Sequence, residues 1–134
     1  MKFLSQFERQ DGVVVLNNLS TIFEENYIKV REKEGRVLTD EMVLGLPQTP
    51  SNYQHYREWK LREATANRAL KYFQQRQFKT VLDLGCGNGW FTNAMASKSN
   101  MVVGIDMNMH ELRQANRVFG KSGLNFCYAD VFTS

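Results

Sequence analysis

The chain has 134 residues, of which 43% are hydrophobic and 23% are charged, as in an ordinary single globular domain. Its net charge of +3 is too small to indicate nucleic acid as the main partner, and no apolar run approaches the ~20 residues that span a membrane. The chain does not open with the basic and apolar segments of a signal peptide, and its two cysteines form no Cys-x-x-Cys pair. We therefore expect a cytoplasmic protein without a metal site.

The first 50 residues predict a leader that is separate from a domain of residues 51–134. Asp11 and Gly12 are typical of a tight turn. The apolar residues 13–16 that follow this turn predict a short strand.

Two helices are predicted in the rest of the leader. Thr21 and Glu24 have the spacing of a capping box, which opens the first helix, and Gly35 is typical of the residue after a helix end. Thr39 is placed to cap a second, short helix. This helix must end before Pro47, because proline lacks the N–H group that a helix needs.

A long amphipathic helix is predicted over residues 52–75, opened by a capping box at Ser51 and Gln54. We interpret Trp59 on its apolar stripe as a core residue rather than as a platform for a substrate. A lone histidine is usually structural, and we interpret His55 in that way. Interleaved basic side chains favour a solvated face over a nucleic-acid surface: Arg57, Lys60, Arg62, Arg68, Lys71, Arg76 and Lys79.

A buried strand, a glycine-rich turn and the start of a helix follow one another within residues 81–90, Val-Leu-Asp-Leu-Gly-Cys-Gly-Asn-Gly-Trp. The alternate glycines of the turn allow positive φ angles and let a ligand approach the backbone closely. The helix that begins beyond them presents free N–H groups. The turn therefore predicts a site for a phosphate, a carboxylate or another acceptor-rich group.

An acidic residue after the next strand narrows the choice of ligand. Residues 101–105 predict a second strand, and Asp106 ends it about 20 residues beyond the turn, where an acid commonly binds ribose hydroxyls. The glycine spacing is Gly-x-Gly-x-Gly, however, and Trp90 occupies the place of the last glycine of a dinucleotide fingerprint. This difference disfavours NAD.

The remaining elements predict a parallel sheet. Asn108 is placed to cap a further helix, and residues 124–129 predict a third strand that ends at Asp130. Because strands alternate with helices, we expect parallel strands with right-handed crossovers, whose carboxyl ends meet at one edge of the sheet. The glycine turn, Asp83, Asp106 and Asp130 are therefore expected to converge on one pocket.

Three segments resemble the motifs of a known family. Residues 83–89, Asp-Leu-Gly-Cys-Gly-Asn-Gly, are similar to the first motif of the class I S-adenosylmethionine-dependent methyltransferases. Residues 103–106, Val-Gly-Ile-Asp, and residues 125–131, Asn-Phe-Cys-Tyr-Ala-Asp-Val, resemble the second and third motifs. The motifs have the family's order and spacing over residues 53–134. The resemblance implies an α/β, Rossmann-like fold with α/β/α layers and a mainly parallel sheet, and methyl transfer from S-adenosylmethionine as the activity.

The resemblance also implies which residues bind S-adenosylmethionine: Asp83, Gly85, Cys86, Gly87, Asn88, Gly89, Trp90, Asp106, Met107, Asp130 and Val131. Asp83 would face the methionine ammonium group, Asp106 would accept from both ribose hydroxyls, and Met107 would lie against adenine. Asp130 would accept from the adenine amino group, and the Val131 N–H would donate to a ring nitrogen. Methyl transfer mainly requires positioning and the exclusion of water, and no catalytic residue is identified.

The sequence leaves the role of the leader and the methyl acceptor open. Residues 27–36 resemble a leader that folds over the substrate side of some methyltransferases, and a solvated charged helix is an equal alternative. A small-molecule acceptor is favoured over a nucleic acid or a protein. Outside the methyltransferases, the alternatives are a non-catalytic nucleotide-binding or interaction module and, less favoured, an NAD-dependent oxidoreductase.

The resemblance covers only part of the family's fold. The family's sheet has a fourth strand beside the first, and this chain supplies the first three. We therefore expect a truncated form, with weak binding and no turnover alone, or a half that is completed by association. We favour a homodimer that covers the open edge of residues 80–84; the alternatives are pairing with residues 13–16 and local disorder.

Overall fold

The computed structural model describes residues 2–20, 22–97 and 100–132. The strands are β1 (Arg9–Gln10), β2 (Val13–Val15), β3 (Thr80–Leu84), β4 (Met101–Asp106) and β5 (Leu124–Tyr128). The helices are α1 (Ile22–Lys33), α2 (Asp40–Gly45), α3 (Tyr56–Arg76), α4 (Trp90–Met95) and α5 (Met109–Phe119), with a 3₁₀ helix at Leu4–Gln6. Within these ranges, no helix combines the length and the hydropathy that a membrane span requires.

The five strands form one sheet in the order β1-β2-β5-β4-β3. The pairs β2–β5, β5–β4 and β4–β3 are parallel, and β1 pairs antiparallel with β2. α4 connects β3 to β4 and α5 connects β4 to β5, which are the crossovers that parallel strands need. The predicted α/β class with a mainly parallel sheet is confirmed, and the carboxyl ends of β3, β4 and β5 lie at one edge.

Helices α4 and α5 pack on one face of the sheet, and α3 and α2 pack against these two helices. Side chains of β5 that point to this face, such as Phe126 and Tyr128, are buried there. On the opposite face, Leu4 of the 3₁₀ helix packs against residues of β2, β4 and β5. This cover does not extend over β3, where Leu82 and Leu84 are 57% and 66% exposed.

The leader contributes two strands to the sheet. The φ angles of Asp11 and Gly12 are 50° and 81°, so the predicted tight turn forms and joins β1 to β2. The strand predicted at residues 13–16 is confirmed as β2, but it pairs with β5. The Asn17 side chain holds it there, because it donates to the Asp130 carbonyl (2.9 Å) and accepts from the Asp130 N–H (3.0 Å). The alternative in which this strand covers the open edge of β3 is therefore wrong.

Two predicted helix caps form. Thr39 Oγ1 accepts from the Met42 N–H at 3.2 Å and begins α2. Asn108 Oδ1 accepts from the Glu111 N–H at 3.2 Å and begins α5. The capping box predicted for α1 involves Thr21, which lies outside the described residues.

The start of α3 differs from the prediction. The helix begins at Tyr56 instead of residue 52, and Ser51 does not cap it. The Gln54 side chain, which was expected to complete the cap, donates to the Glu34 carbonyl at 2.6 Å and so ties the segment to the leader. Gly35 follows the end of α1 with a φ of +67°, as predicted for a helix end.

Candidate functional site

The turn between β3 and α4 is bound to the end of β4. The N–H groups of Gly85 and Cys86 both donate to the Ile105 carbonyl, at 2.8 and 3.1 Å. Gly85, Gly87 and Gly89 have φ angles of 75°, 54° and 79°, which residues with a Cβ rarely adopt. The alternate glycines are therefore needed for the path of the backbone itself.

Two of these glycines have different surroundings. A Cβ on Gly85 would meet nothing within 4 Å, so a ligand has free access to the backbone there. A Cβ on Gly89 would lie 2.6 Å from the Phe126 ring and 2.9 Å from the Ala115 Cβ. Gly89 therefore lets the start of α4 approach the sheet and α5 closely, which is a packing role.

The Asp106 carboxylate joins the end of β4 to the turn. Its Oδ2 accepts from the Gly87 N–H at 2.8 Å, and its Oδ1 accepts from the Asn108 N–H at 2.9 Å. A carboxylate has about four acceptor positions on its two oxygens, so both oxygens can still accept from ligand hydroxyls. Asp106 thus fixes the turn and keeps the capacity to accept hydrogen bonds that is predicted from the sequence.

Asp83 lies on β3 beneath α4. Its Oδ2 accepts a hydrogen bond of 2.7 Å from Thr92 Oγ1, and the Thr92 side chain is fully buried in α4. Burial raises the pKa of Asp83, the bond from Thr92 partly opposes this effect, and the Asp106 carboxylate raises the pKa further. The hydrogen bond with Thr92 positions α4, and the contact of Asp83 with a methionine ammonium group stays a prediction.

Cys86 is a packing residue with a protonated thiol. Burial, and secondarily Asp106, raises the pKa of the thiol far above its usual range. A Cβ on Gly104 would lie 2.9 Å from the Cys86 Sγ, so β4 needs glycine at that position. Because a protonated thiol is a poor nucleophile, we interpret Cys86 as a packing residue.

A cleft of about 310 Å³ opens at this edge of the sheet, within the range of small-molecule sites. Of the predicted site residues, it is lined by Gly85, Cys86, Gly87, Asn88, Trp90 and Asp106. The leader and the helices complete the lining with Tyr27, Arg31, Arg36, Leu38, Tyr53, Trp59, Arg62 and Glu111. In the described part of the chain, no group of three or more His, Cys, Asp or Glu side chains could hold a metal ion.

The other predicted site residues are absent from the lining of this cleft: Asp83, Gly89, Met107, Asp130 and Val131. Met107 packs partly against the core. The Asp130 backbone is bonded to Asn17, and Val131 is 63% exposed. Because β5 ends at Tyr128, both residues lie beyond the strand end, on the side of the leader strand β2. Their contacts with adenine stay predictions.

The leader helix α1 forms one wall of the cleft. Arg31 Nη2 lies 4.0 Å from Glu111 Oε1 on α5, and the Arg31 guanidinium lies 5.5 Å from the centroid of the Tyr27 ring. All three side chains line the cleft. α1 therefore contributes Tyr27 and Arg31 to the cleft, whereas its charged residues Glu25, Lys29, Glu32 and Lys33 are exposed, so features of both alternatives are present.

Glu111 lines the cleft, although no role in the site is predicted for it from the sequence. Its side chain is 14% exposed, and its Oε2 would lie 3.5 Å from a Cβ on Gly87. Burial raises the pKa of Glu111 to about 7, Asp106 contributes in the same direction, and Arg31 opposes both. The sequence feature from which Glu111 could have been predicted is its place in the first turn of the helix that follows Asp106.

Aromatic side chains form the opposite wall of the cleft. The Trp59 and Trp90 rings pack edge to face with centroids 5.3 Å apart, and the Arg62 guanidinium lies 4.8 Å from the Trp59 ring. Trp59 is 6% exposed, which confirms its interpretation as a core residue, although it also lines the cleft. The His55 ring nitrogen lies 2.6 Å from the Glu34 carbonyl oxygen and joins α3 to the leader, as a structural histidine would.

Comparison with known proteins agrees with this geometry. A family model described as a methyltransferase domain matches residues 75–133. The ubiquinone biosynthesis O-methyltransferase of Serratia proteamaculans (strain 568) is 42% identical over 63 residues, which cover 44% of this chain and 26% of the relative. The corresponding enzyme of Pasteurella multocida (strain Pm70) is 40% identical over 53 residues, covering 40% of this chain and 22% of the relative. The chain thus spans about a quarter of the length of these curated relatives.

The fold has a counterpart among solved structures. Magnesium protoporphyrin IX methyltransferase from Synechocystis PCC 6803, solved with bound SAH, superposes with a TM-score of 0.59 over 82% of this chain and 51% of that chain, at 17% identity. At this identity the likeness concerns the fold alone. The matched family model covers 59 of the 134 residues, and over this part, which includes the glycine turn bound to Asp106, the chain is similar to methyltransferase domains.

Proposed function

We propose that the protein binds S-adenosylmethionine in the cleft at the carboxyl ends of β3 and β4 and transfers its methyl group to an acceptor. The observation that carries this proposal is the Asp106 carboxylate, which is bonded to the turn at Gly87 and retains free acceptor positions toward the cleft. The relatives named as O-methyltransferases support the same reaction class.

The residues of the cleft fit the cofactor. The space beside Gly85 admits the chain of the methionine part along the backbone, and Asp106 offers acceptors for the two ribose hydroxyls. Trp90 and Asn88 would form the sides of the pocket. Met107 at the end of β4, and Asp130 and Val131 after β5, are the proposed contacts of adenine. When bound, the cofactor supplies a methyl group that its sulfonium already activates.

The contribution of the chain to the reaction is positioning and the exclusion of water. α1 covers the cleft from one side with Tyr27, and the buried Trp59 closes the other side against Trp90. We propose a small molecule as the acceptor, because the cleft volume of about 310 Å³ lies within the range of small-molecule sites. A catalytic base is required only for a poor nucleophile.

The ligand is tested by calorimetry with S-adenosylmethionine, S-adenosylhomocysteine and NAD. We expect both sulfur ligands to bind and NAD to bind much more weakly, because Trp90 fills the place of the third glycine of a dinucleotide site. Asp106→Ala should weaken S-adenosylhomocysteine binding by about 1–3 kcal/mol, the range for a buried hydrogen-bonding group that loses its partner.

Glu41→Ala is the matched control for this experiment, because Glu41 is an exposed acid on α2 that does not line the cleft. It should leave the affinity unchanged. NAD binding as tight as that of S-adenosylhomocysteine would contradict the proposed function. An unchanged affinity in Asp106→Ala would contradict the ribose role of that residue.

A further inference from the structure

We propose that Glu111 makes the cleft distinguish S-adenosylmethionine from S-adenosylhomocysteine, because its carboxylate attracts the positive sulfonium that only the methylated ligand carries. This inference rests on the proposed function and adds to it a residue that lies outside the three motifs. A cleft that selects this charge holds the methyl donor more tightly than the demethylated product, which favours release of the product after methyl transfer.

The first observation is that the Glu111 carboxylate faces the cleft and is only loosely paired. Glu111 lines the cleft, and its side chain is 14% exposed. Its ion pair with Arg31 is long, because the Arg31 Nη2 lies 4.0 Å from the Glu111 Oε1, which exceeds a hydrogen bond. The Glu58 carboxylate, by contrast, accepts hydrogen bonds of 3.1, 2.9 and 2.7 Å from Arg36 and Arg62. Glu111 therefore keeps the capacity to meet a positive group of a ligand.

The second observation is the position of Glu111 beside the glycine turn. Its Oε2 would lie 3.5 Å from a Cβ on Gly87, whose N–H is bonded to Asp106. A sphere with the cleft's volume of about 310 Å³ is only about 8 Å across, and charges at such distances interact measurably inside a protein, where the effective dielectric constant is about 20. A sulfonium bound in the cleft therefore lies within range of the Glu111 carboxylate.

The third observation is an excess of negative charge around Glu111 when it is ionised. Four titratable groups face it from three other elements: Tyr27 and Arg31 of α1, Cys86 of the turn, and Asp106 at the end of β4. Burial in the first place, and nearby acids in the second, raise the pKa of Tyr27 and of Cys86, so both are uncharged near neutral pH. Arg31 is then the one base of this cluster, against two acids, and a positive ligand balances the difference.

The remaining charged groups of α5 are engaged elsewhere. His110 and Arg117 lie near Asp40 of α2, and Arg117 donates to both oxygens of that carboxylate at 2.9 Å. Arg113 pairs with Asp11 at 2.9 Å. Of the other elements that pack against α5, β2, α4 and β5 carry no acidic or basic side chain. The carboxylate in the cleft is therefore balanced only by the cluster around it and by a bound ligand.

The charge of Glu111 changes near neutral pH. Burial and, secondarily, Asp106 raise its pKa to about 7, and Arg31 opposes both effects. A positive ligand favours the ionised form, so its binding should release protons from Glu111 and should tighten as the pH rises through 7. S-adenosylhomocysteine has the same amino acid and adenosine but no charge on sulfur, so it lacks the part of this effect that the sulfonium produces.

The test is a ratio of two affinities, measured by calorimetry at pH 6 and pH 7.5, on either side of the Glu111 pKa. In the unmodified protein, the Kd of S-adenosylhomocysteine divided by that of S-adenosylmethionine should rise by roughly 3- to 5-fold between these pH values, since most of the Glu111 carboxylate ionises in this interval. In Glu111→Gln, which keeps the shape but cannot ionise, the ratio should stay constant. Contacts that the two ligands share cancel in this ratio.

Glu41→Gln is the matched control, because it neutralises an exposed acid on α2 that does not line the cleft. In this variant the ratio should rise as in the unmodified protein. A second measurement does not depend on any variant. Titrations near pH 7 in two buffers with different ionisation enthalpies should show that S-adenosylmethionine releases more protons on binding than S-adenosylhomocysteine does.

A ratio independent of pH in the unmodified protein would overturn the inference, because the cleft would then admit the methyl group by shape alone. A ratio that rises equally in Glu111→Gln would assign the selection to another acid, such as Asp83, and would overturn it as well. If the unmodified protein bound neither ligand, the proposed function would fail together with it.

Discussion

Single residues set the geometry of the glycine turn, and its glycines are not equivalent. Gly85 and Gly89 have nearly the same φ angles, 75° and 79°, so a Cβ would strain the backbone equally at both positions. Only at Gly89 would the Cβ also collide with the core, at Phe126 and Ala115. Substitutions at Gly85 and Gly89 therefore distinguish the cost of backbone strain from the cost of steric overlap.

We expect Gly85→Ala to lower the free energy of unfolding by roughly 1–2 kcal/mol, the cost of the left-handed conformation for a residue with a Cβ. Gly89→Ala should cost a further ~1–3 kcal/mol from overpacking against Phe126. Urea denaturation of the two variants measures this difference. Equal destabilisation would show that the close packing of Gly89 adds nothing to the stability.

Glu111 predicts a dependence of stability on pH. Its pKa rises from 4.5 in the unfolded chain to about 7 in the fold, because burial and Asp106 disfavour the charged form. Between these values the folded state binds more protons than the unfolded state, so the free energy of unfolding should decrease as the pH rises from about 4.5 to about 7. The full effect is at most about 3 kcal/mol.

Glu111→Gln removes this titration, so the free energy of unfolding of the variant should decrease less with rising pH. At pH 8 the variant should be more stable than the unmodified protein. Urea denaturation from pH 5 to pH 8 provides the measurement. Asp83, whose pKa is also raised by burial, contributes in the same direction in both proteins and cancels in the comparison. Parallel pH profiles would show that Glu111 titrates at its ordinary pKa.

At the scale of elements, the leader and the core are joined by specific contacts. The Asn17 side chain bonds the end of β2 to Asp130, and Gln54 and His55 bond the start of α3 to Glu34. On the other side of the leader, Asp40 of α2 forms two hydrogen bonds of 2.9 Å with Arg117 of α5. These contacts hold α1 at the rim of the cleft.

Comparing Thr39, which caps α2, with Ser51, which does not cap α3, tests the stability that a helix cap contributes. Thr39 Oγ1 accepts from the Met42 N–H, so Thr39→Ala should lower the free energy of unfolding by about 1 kcal/mol. Ser51 is exposed and does not cap α3, so Ser51→Ala should change the free energy of unfolding by less than ~0.5 kcal/mol. Thermal or urea denaturation compares the two variants. A loss in Ser51→Ala as large as that in Thr39→Ala would contradict the assigned cap.

At the scale of the whole molecule, the outer edge of β3 is open. Within the described ranges β3 pairs only with β4, and Leu82 and Leu84 are exposed beside the free edge. The leader strand β2 cannot cover it, because β2 lies at the other side of β5. Unpaired strand edges with apolar side chains promote association.

We therefore predict that the 134-residue chain forms a two-fold dimer in which β3 pairs antiparallel with its own copy. Sedimentation over a concentration series should show a monomer–dimer equilibrium. Leu84→Lys, which places a charge at the edge, should shift it toward the monomer, whereas Leu61→Lys, at a similarly exposed position on α3, should not. A monomer at all concentrations, or equal effects of the two substitutions, would contradict dimerisation through β3.

The sequence by itself determined the core strands, two of the helix caps and the motif-bearing part of the site. The strands β3, β4 and β5 follow from short apolar runs, and the caps at Thr39 and Asn108 follow from local side-chain chemistry. The glycines of the turn and Asp106 are recognisable because their spacing along the chain reflects one continuous unit of strand, turn, helix and strand. Such features depend on neighbours in sequence, so they can be predicted without the fold.

Only the tertiary structure decided how the leader completes the site. Arg31 and Glu111 are 80 positions apart in the chain and meet because α1 crosses over α5 at the end of the sheet. The placement of β2 beside β5, and the use of Gln54 as a link to the leader, likewise depend on contacts between distant segments. Burial, which raises the pKa of Glu111, arises from the packing of several elements together, and no local pattern of residues encodes it.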